Sequence, residues 1–315
     1  MLDRTPPPRV LSVALVFTSL ILLLAGPVLA QDGNVLFHQM LKDGLSLTDD
    51  VTAPLPAPTF LGSSNDTLPP SEVEKRLQKL ARAGGVKRFV RNSAVAPIAI
   101  DTDSISNSEG QRIGHLLDVT FIVHAPLDWV QDSDALNSLL GVDPSADETE
   151  DAGAASQVSP EELAKLGIAP TAETESFGRI SFPLLDRVMV EGVIHAETQR
   201  HIEGAPGDFV TVAWHLDPRF ENSWSPIERD DLGKETTGDA KPYRGLGGLI
   251  TATRLPAEIA GTNSEATIVQ ARFVVHEPVD WFGGRNQLRS KLPLIIQDRV
   301  RDLRRKLADS HTPSR

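Results

Sequence analysis

Apolar positions recur with two different periods along this chain. Val73, Leu77, Leu80 and Ala81 repeat at helical spacing behind Ser71 and Glu74, a capping-box pair, and Gly84-Gly85 closes the run. Asn34 to Gly44 reads as a shorter helix with its own cap and stop. Ser159-Pro160-Glu161-Glu162 opens another that ends at Gly167. The longest helical stripe, Leu288, Leu292, Ile295, Ile296, Val300, Leu303 and Leu307, predicts a helix from about Arg285 to Ala308, kinked or restarted at Pro293. Elsewhere the period is two. Strands are predicted at Arg88–Ile100, bent or at an edge because of Pro97, and at Leu116–His124. Val188–His201 and Phe209–Leu216 flank Gly204-Ala205-Pro206-Gly207 as a hairpin, and Leu249–Leu255 and Ala266–Glu277 follow. The polar stretches 101–110 and 223–240 read as connections, and Asp128 or Ser133 can cap a short helix through Leu140.

One phrase occurs twice: Phe121-Ile122-Val123-His124-Ala125-Pro126-Leu127-Asp128-Trp129 and Phe273-Val274-Val275-His276-Glu277-Pro278-Val279-Asp280-Trp281. The register holds without a gap to Leu140 and Leu292, so two related strand-to-helix units are expected. Consecutive strands with short polar connections give an α+β fold. The expected architecture is an antiparallel β-sheet with an internal strand–strand–helix duplication. The helices gather on one face, and the long C-terminal amphipathic helix covers it.

A strand ending in Val123-His124-Ala125-Pro126 before a helix, long antiparallel strands and a terminal amphipathic helix resemble helix-grip (START-like) lipid-carrier domains over roughly residues 115–308. The tail from Glu277 to Gly284, with Leu288-Arg289-Ser290-Lys291-Leu292-Pro293, resembles exported bacterial proteins of unknown function. The second resemblance implies no activity.

Residues 1–30 read as a signal peptide: Arg4 and Arg9 precede an apolar run, and Ala30 ends it before Gln31. An exported protein, periplasmic or extracellular, is expected; the alternative is that the run stays as an uncleaved membrane anchor. Residues 31–70 read as a short helix and a Pro-rich linker, with low order from about 46 to 70. A single domain then spans 71–310, interrupted by an acidic insert at 142–158 that is expected to be mobile. The chain has no cysteine, which removes disulfides, thiolate metal sites and a cysteine nucleophile. A formal charge of −12 repels phosphate backbones and argues against nucleic-acid binding.

Two polar clusters carry candidate chemistry. The repeated turns bring His124, Asp128, His276 and Asp280 into consideration as a binding set, if the two units converge; the cheaper reading makes them turn and strand-end residues. On the hairpin, Glu191, His195, Glu197 and His201 share one strand face, and the short turn allows a register setting His195 near His215, with Asp217 two residues on. Imidazole beside carboxylate suits general acid–base work, whereas polar positions alternating with apolar ones also describe a solvated sheet face. Leu246-Gly247-Gly248 resembles a phosphate-loop fragment but precedes a strand, which argues for a flexible strand start. Arg299, Arg301, Arg304 and Arg305 complement the dipole of the last helix and could also meet an anionic membrane surface.

No metal, cofactor or catalytic signature emerges. The function expected is a non-enzymatic exported module in the cell envelope, binding an apolar small molecule or an envelope protein. The alternatives are a His/carboxylate-dependent hydrolase and an envelope scaffold without a ligand site.

Overall fold

The computed structural model describes residues 33–62, 68–81, 84–131, 156–169, 174–202, 208–229, 235–261 and 265–310. The leader, most of the acidic insert and the helix expected between Ser133 and Leu140 lie outside the described residues. The order is α1 (Val35–Asp43), β1 (Leu45–Ser46), β2 (Thr52–Ala53), α2 (Pro70–Ala81), α3 (Gly85–Phe89), β3 (Ala99–Ser106) and β4 (Arg112–Val123). A 3-10 turn at Leu127–Gln131 precedes β5 (Ser156–Gln157), α4 (Pro160–Lys165), β6 (Glu175–Leu184), β7 (Val188–His201) and β8 (Phe209–Leu216). Then come β9 (Ser223–Arg229), β10 (Glu235–Thr237), β11 (Lys241–Pro242), β12 (Leu246–Arg254), α5 (Ala257–Ala260) and β13 (Thr267–His276). A second 3-10 turn, Trp281–Gly284, leads into α6 (Gln287–Ser310).

Among the described residues β1 and β2 form a two-stranded sheet and the other strands one 11-stranded sheet, with every pairing antiparallel. From one side it runs β5, β6, β7, then β8 (with β9 beside the start of β7), β12, β13, β4 and β3. The duplication sits at its centre. Val119 of β4 pairs with Ala271 of β13, its own counterpart in the repeat, so a pseudo-twofold axis passes through that pair. Both copies then make the same turn: Trp129 N–H donates to the Pro126 carbonyl at 3.1 Å, and Trp281 N–H to that of Pro278 at 2.9 Å. Both indoles are buried in one core. The antiparallel sheet, its duplication and the covering C-terminal helix are therefore as the apolar pattern predicts.

The two faces carry different layers. Leu117, Phe121, Val212 and Val269 meet Leu288, Leu292, Leu303 and Leu307 of α6 in the largest core, on what is here the inner face. The expectation that all helices share that face is corrected: α1 packs Phe37 and Met40 on the outer face against Ala213, Leu249 and Val274. There too Val73 and Leu77 of α2 pack with Phe89, Ile122 and Ile268, while Leu163 of α4 meets Phe177 and Val193. The physical reason is that the central strands are apolar on both sides, and an outer face carrying Ile122, Val274 and Leu249 must be covered.

Further expectations change. Described residues from 46 to 62 are held against the sheet, with Leu47, Leu55 and Phe60 buried. Arg272 explains why: it donates to the carbonyls of Pro56 and Ala57, bonds Thr59 Oγ1 at 2.9 Å, and pairs with Asp118 at 2.8 Å. A guanidinium with five N–H donors can serve several such acceptors at once. The strand expected at Arg88–Ile100 begins only at Ala99, because α3 takes up residues before it; β3 then runs through the polar residues expected to form a loop. Polar residues serve there because β3 is an edge strand paired with β4 alone. β9 likewise lies inside the stretch expected to be a connection. Of the kink or restart expected at Pro293, the restart does not occur: α6 continues through it.

Candidate functional site

Between the inner face and α6 lies a cavity of about 60 Å³. Its floor comes from successive inner-face positions of neighbouring strands: Val119 and Phe121, Val269 to Val275 on alternate residues, Leu246 and Ile250. Trp214, Phe182, Leu184 and Val190 extend it toward the far strands, and Tyr243 closes one side. The roof is α6, where Leu292, Ile295, Ile296, Arg299 and Val300 fall at i, i+3, i+4, i+7 and i+8, the spacing of a single helical face. Arg299 is the one charged residue in this lining.

Tyr243 is fully fixed. Its hydroxyl donates to the His276 carbonyl at 2.9 Å, its ring stacks on those of Trp281 and His276, and burial raises its pKa far above the ordinary phenol range. It offers the cavity a ring, and no ionisable group. Arg299 differs. Burial lowers its pKa, against the fields of Asp302 and Asp298, yet those two carboxylates bond Arg305 at 2.6 Å and Arg301 at 2.9 Å. The sequence alone groups position 299 with the cations at the helix end; its place in the apolar stripe, four residues after Ile295, is the signal that sets it apart.

The other arginines of α6 separate cleanly. Arg304, expected among residues facing a membrane, is buried: it donates to the carbonyls of Ile122 at 2.9 Å and Ala96 at 2.6 Å and lies over the Phe121 ring. Burial pushes its pKa down to about 10. It ties the roof to the sheet and is unavailable to a surface. Arg305 is exposed and Arg301 partly so.

The repeated-turn residues are kept apart. β4 and β13 run antiparallel through ten paired positions, from Gly114–His276 to Val123–Thr267, which places His124 and His276 roughly 30 Å from each other. His124 Nε2–H donates to the Val90 carbonyl at 2.7 Å, and His276 Nδ1–H to that of Arg244 at 3.1 Å. Burial lowers the pKa of both. Asp128 is exposed; Asp280 makes no side-chain cap and pairs with Lys241 at 2.8 Å. No group of three metal-ligating side chains with metal-like spacing occurs among the described residues.

The hairpin residues do meet. His195 and His215 are register partners with ring centroids 5.6 Å apart, and His195 Nε2 lies 2.9 Å from Glu175 Oε1 while its ring stacks on Phe177 at 4.5 Å. Burial lowers both imidazoles, His215 to about 4 with His195 adding to the effect. Asp217 is buried; that alone would raise its pKa, but a two-oxygen pairing with Arg219 outweighs it and holds the carboxyl low. The cluster is two tilted, packed imidazoles, His195 stacked on Phe177 and bonded to Glu175, with the Asp217 carboxylate committed to Arg219. The middle of this face is not solvated, although Glu191 and His201 at its ends are exposed. Glu197 is enclosed, accepting the N–H groups of Val35 at 3.1 Å and Leu36 at 2.7 Å at the start of α1. Gly247 and Gly248, weighed as a phosphate-loop fragment, lie within β12 with strands paired on both sides.

No protein-family model matches the chain, and no curated protein does. Among solved structures, the chain is similar to the lipid transfer and protein localization domain of human StarD13 (DLC2), at 11% identity and a TM-score of 0.34, covering 65% of this chain and 83% of that one. An uncharacterised protein from Rhizobium leguminosarum matches at 10% identity and a TM-score of 0.32, covering 68% and 99%. A protein from Thermus thermophilus matches at 13% and 0.30, covering 62% and 99%. The START-like and uncharacterised bacterial likenesses expected from the sequence are thus both found. Neither assigns a ligand or a site residue to this chain.

Proposed function

We propose that this protein is an exported binding module that holds an apolar small molecule between its sheet and α6. The observation that supports it is the cavity itself: hydrophobic side chains from seven elements enclose it, with a single charge in the lining. That is the make-up of small-molecule sites, where apolar walls supply affinity and a few polar groups orient the ligand. Left unfilled, about 60 Å³ costs roughly 1.4 kcal/mol at 24 cal/mol per Å³. Replacing Ala271, on the floor, by a larger residue would recover much of it.

Volume limits what enters. A site that accepts benzene measures about 150 Å³, so a ligand of eight or more heavy atoms requires α6 to move outward. The approach to α6 suits such movement. Phe282 sits at φ 53°, a conformation side chains disfavour, and Gly283-Gly284 follow before the helix starts.

The test is saturable quenching of Trp214, which lines the cavity, by a brominated medium-chain alcohol. Wild type should show it, Trp214→Phe should lose most of the signal, and Ala271→Leu should abolish binding while raising the melting temperature. Absence of saturable quenching in wild type would overturn the proposal. Export is tested separately: the protein recovered outside the cytoplasm should have the mass of a chain beginning at Gln31. A mass retaining residues 1–30 would instead identify an anchored form.

A further inference from the structure

We propose that the ligand is a single-chain carboxylate, its tail in the apolar cavity and its head group held by Arg299. This rests on the ligand-binding reading above and specifies the ligand's chemistry. Along the inner stripe of α6 every other position that lines the cavity is apolar: Leu292, Ile295, Ile296 and Val300. A lone arginine at the fifth is costly unless its charge is used, because a half-buried guanidinium loses hydration. The chain does not supply a hydrogen-bonded carboxylate among the described residues. Asp298 and Asp302, the acids nearest to it along α6, are hydrogen-bonded to Arg301 and Arg305. Glu72, Asp118 and Asp217 illustrate the contrast, since each is paired with an arginine of its own.

The geometry of the group points to the class of partner. A guanidinium presents two parallel N–H donors that match both oxygens of a carboxylate, whereas a hydroxyl can take only one. The remaining lining offers an alkyl chain Phe121, Phe273, Ile250 and Val269. Its other polar atoms are the Trp214 indole N–H, a donor that carries no charge, and the Tyr243 hydroxyl, which is spent on the His276 carbonyl. The site therefore selects one oxyanion at one end of an otherwise apolar molecule. It does so although the chain as a whole carries −12 and repels anions at long range.

Titration calorimetry with octanoate and 1-octanol, at neutral pH, separates this inference from the one beneath it. Wild type should bind octanoate at least about tenfold more tightly than octanol, the ratio expected of a charge-assisted pair. Arg299→Met should bring the two ligands to within about twofold while keeping octanol affinity. Arg299→Lys should keep part of the preference, and Ala271→Leu should lose both ligands. Equal binding of the two ligands by wild type, or a preference that survives Arg299→Met, would overturn the carboxylate assignment and leave the cavity reading intact. If wild type binds neither, both fall. Matching circular dichroism and unfolding midpoints for the Arg299 variants exclude misfolding as the cause of a lost preference.

Discussion

Glu197 shows how a single residue's role depends on what lies across space. Its carboxylate accepts two of the N–H groups that α1 cannot satisfy internally, while Asn34 accepts from Phe37 at 2.8 Å and donates back to the Glu197 carbonyl. Glu197→Gln keeps the shape but removes the charge and sets an amide N–H against a backbone donor. A loss of about 1–3 kcal/mol is expected, with faster amide exchange confined to α1. Exchange spread evenly over the sheet would contradict this. Asn34 was legible as a cap from sequence; Glu197 was not, because its partner lies 161 residues away in the chain. Gly248 teaches the same lesson. A Cβ there would lie 2.6 Å from Phe273 Cβ and against the Arg272 carbonyl, both fixed in the sheet. Gly248→Ala should therefore cost about 1–3 kcal/mol in chemical denaturation, the range of an overpacked core. Sequence showed two adjacent glycines and nothing of the strands closing on them.

At the scale of elements, amphipathic helices were legible and edge strands were not. The α6 stripe could be read directly, since burial on one side dictates a 3.6-residue period. β3 escaped because a strand paired by its backbone on one edge can carry Asp101, Thr102 and Asp103 with no apolar alternation, and β9 because Ser223, Ser225 and Pro226 break up its apolar positions although it pairs with β7, β10 and β11. The arginines of α6 looked alike in sequence and separate in the fold. Arg304 is buried and donates to the carbonyls of Ile122 and Ala96, so Arg304→Met should destabilise by about 2–4 kcal/mol and loosen α6 from β4. Arg301→Ala and Arg305→Ala, each removing an exposed i,i+3 pair, should change stability by less than about 1 kcal/mol. Equal effects in the three variants, measured by urea midpoints, would refute the distinction.

For the whole molecule, the repeated phrase predicted a shared scaffold, and the Val119–Ala271 axis is its geometric form. The same axis explains why the motif builds no joint site: a twofold through two antiparallel strands sends their ends in opposite directions. What the fold does collect is imidazole wholly or partly buried. His215, His195, His276 and His124 all have pKa values lowered, in each case mainly by burial, with Glu175 and Asp217 opposing the effect at His195. Each is neutral in the fold and takes a proton more readily when unfolded, near pH 6.5. Between that value and about 4 the unfolded chain binds more protons, so stability is complete above about 6.5 and is lost as pH falls through this window. His215 alone, lowered to about 4, contributes on the order of 2–3 kcal/mol of that loss. Asp217, held low by Arg219, acts in the same direction but only below the ordinary carboxylate range. Urea midpoints should therefore drop steeply from pH 7.5 to 4.5 in wild type and less steeply in His215→Gln, whatever that variant's stability at pH 7.5. Parallel curves for the two proteins would mean that His215 titrates alike in both states, and that its burial costs the imidazolium nothing.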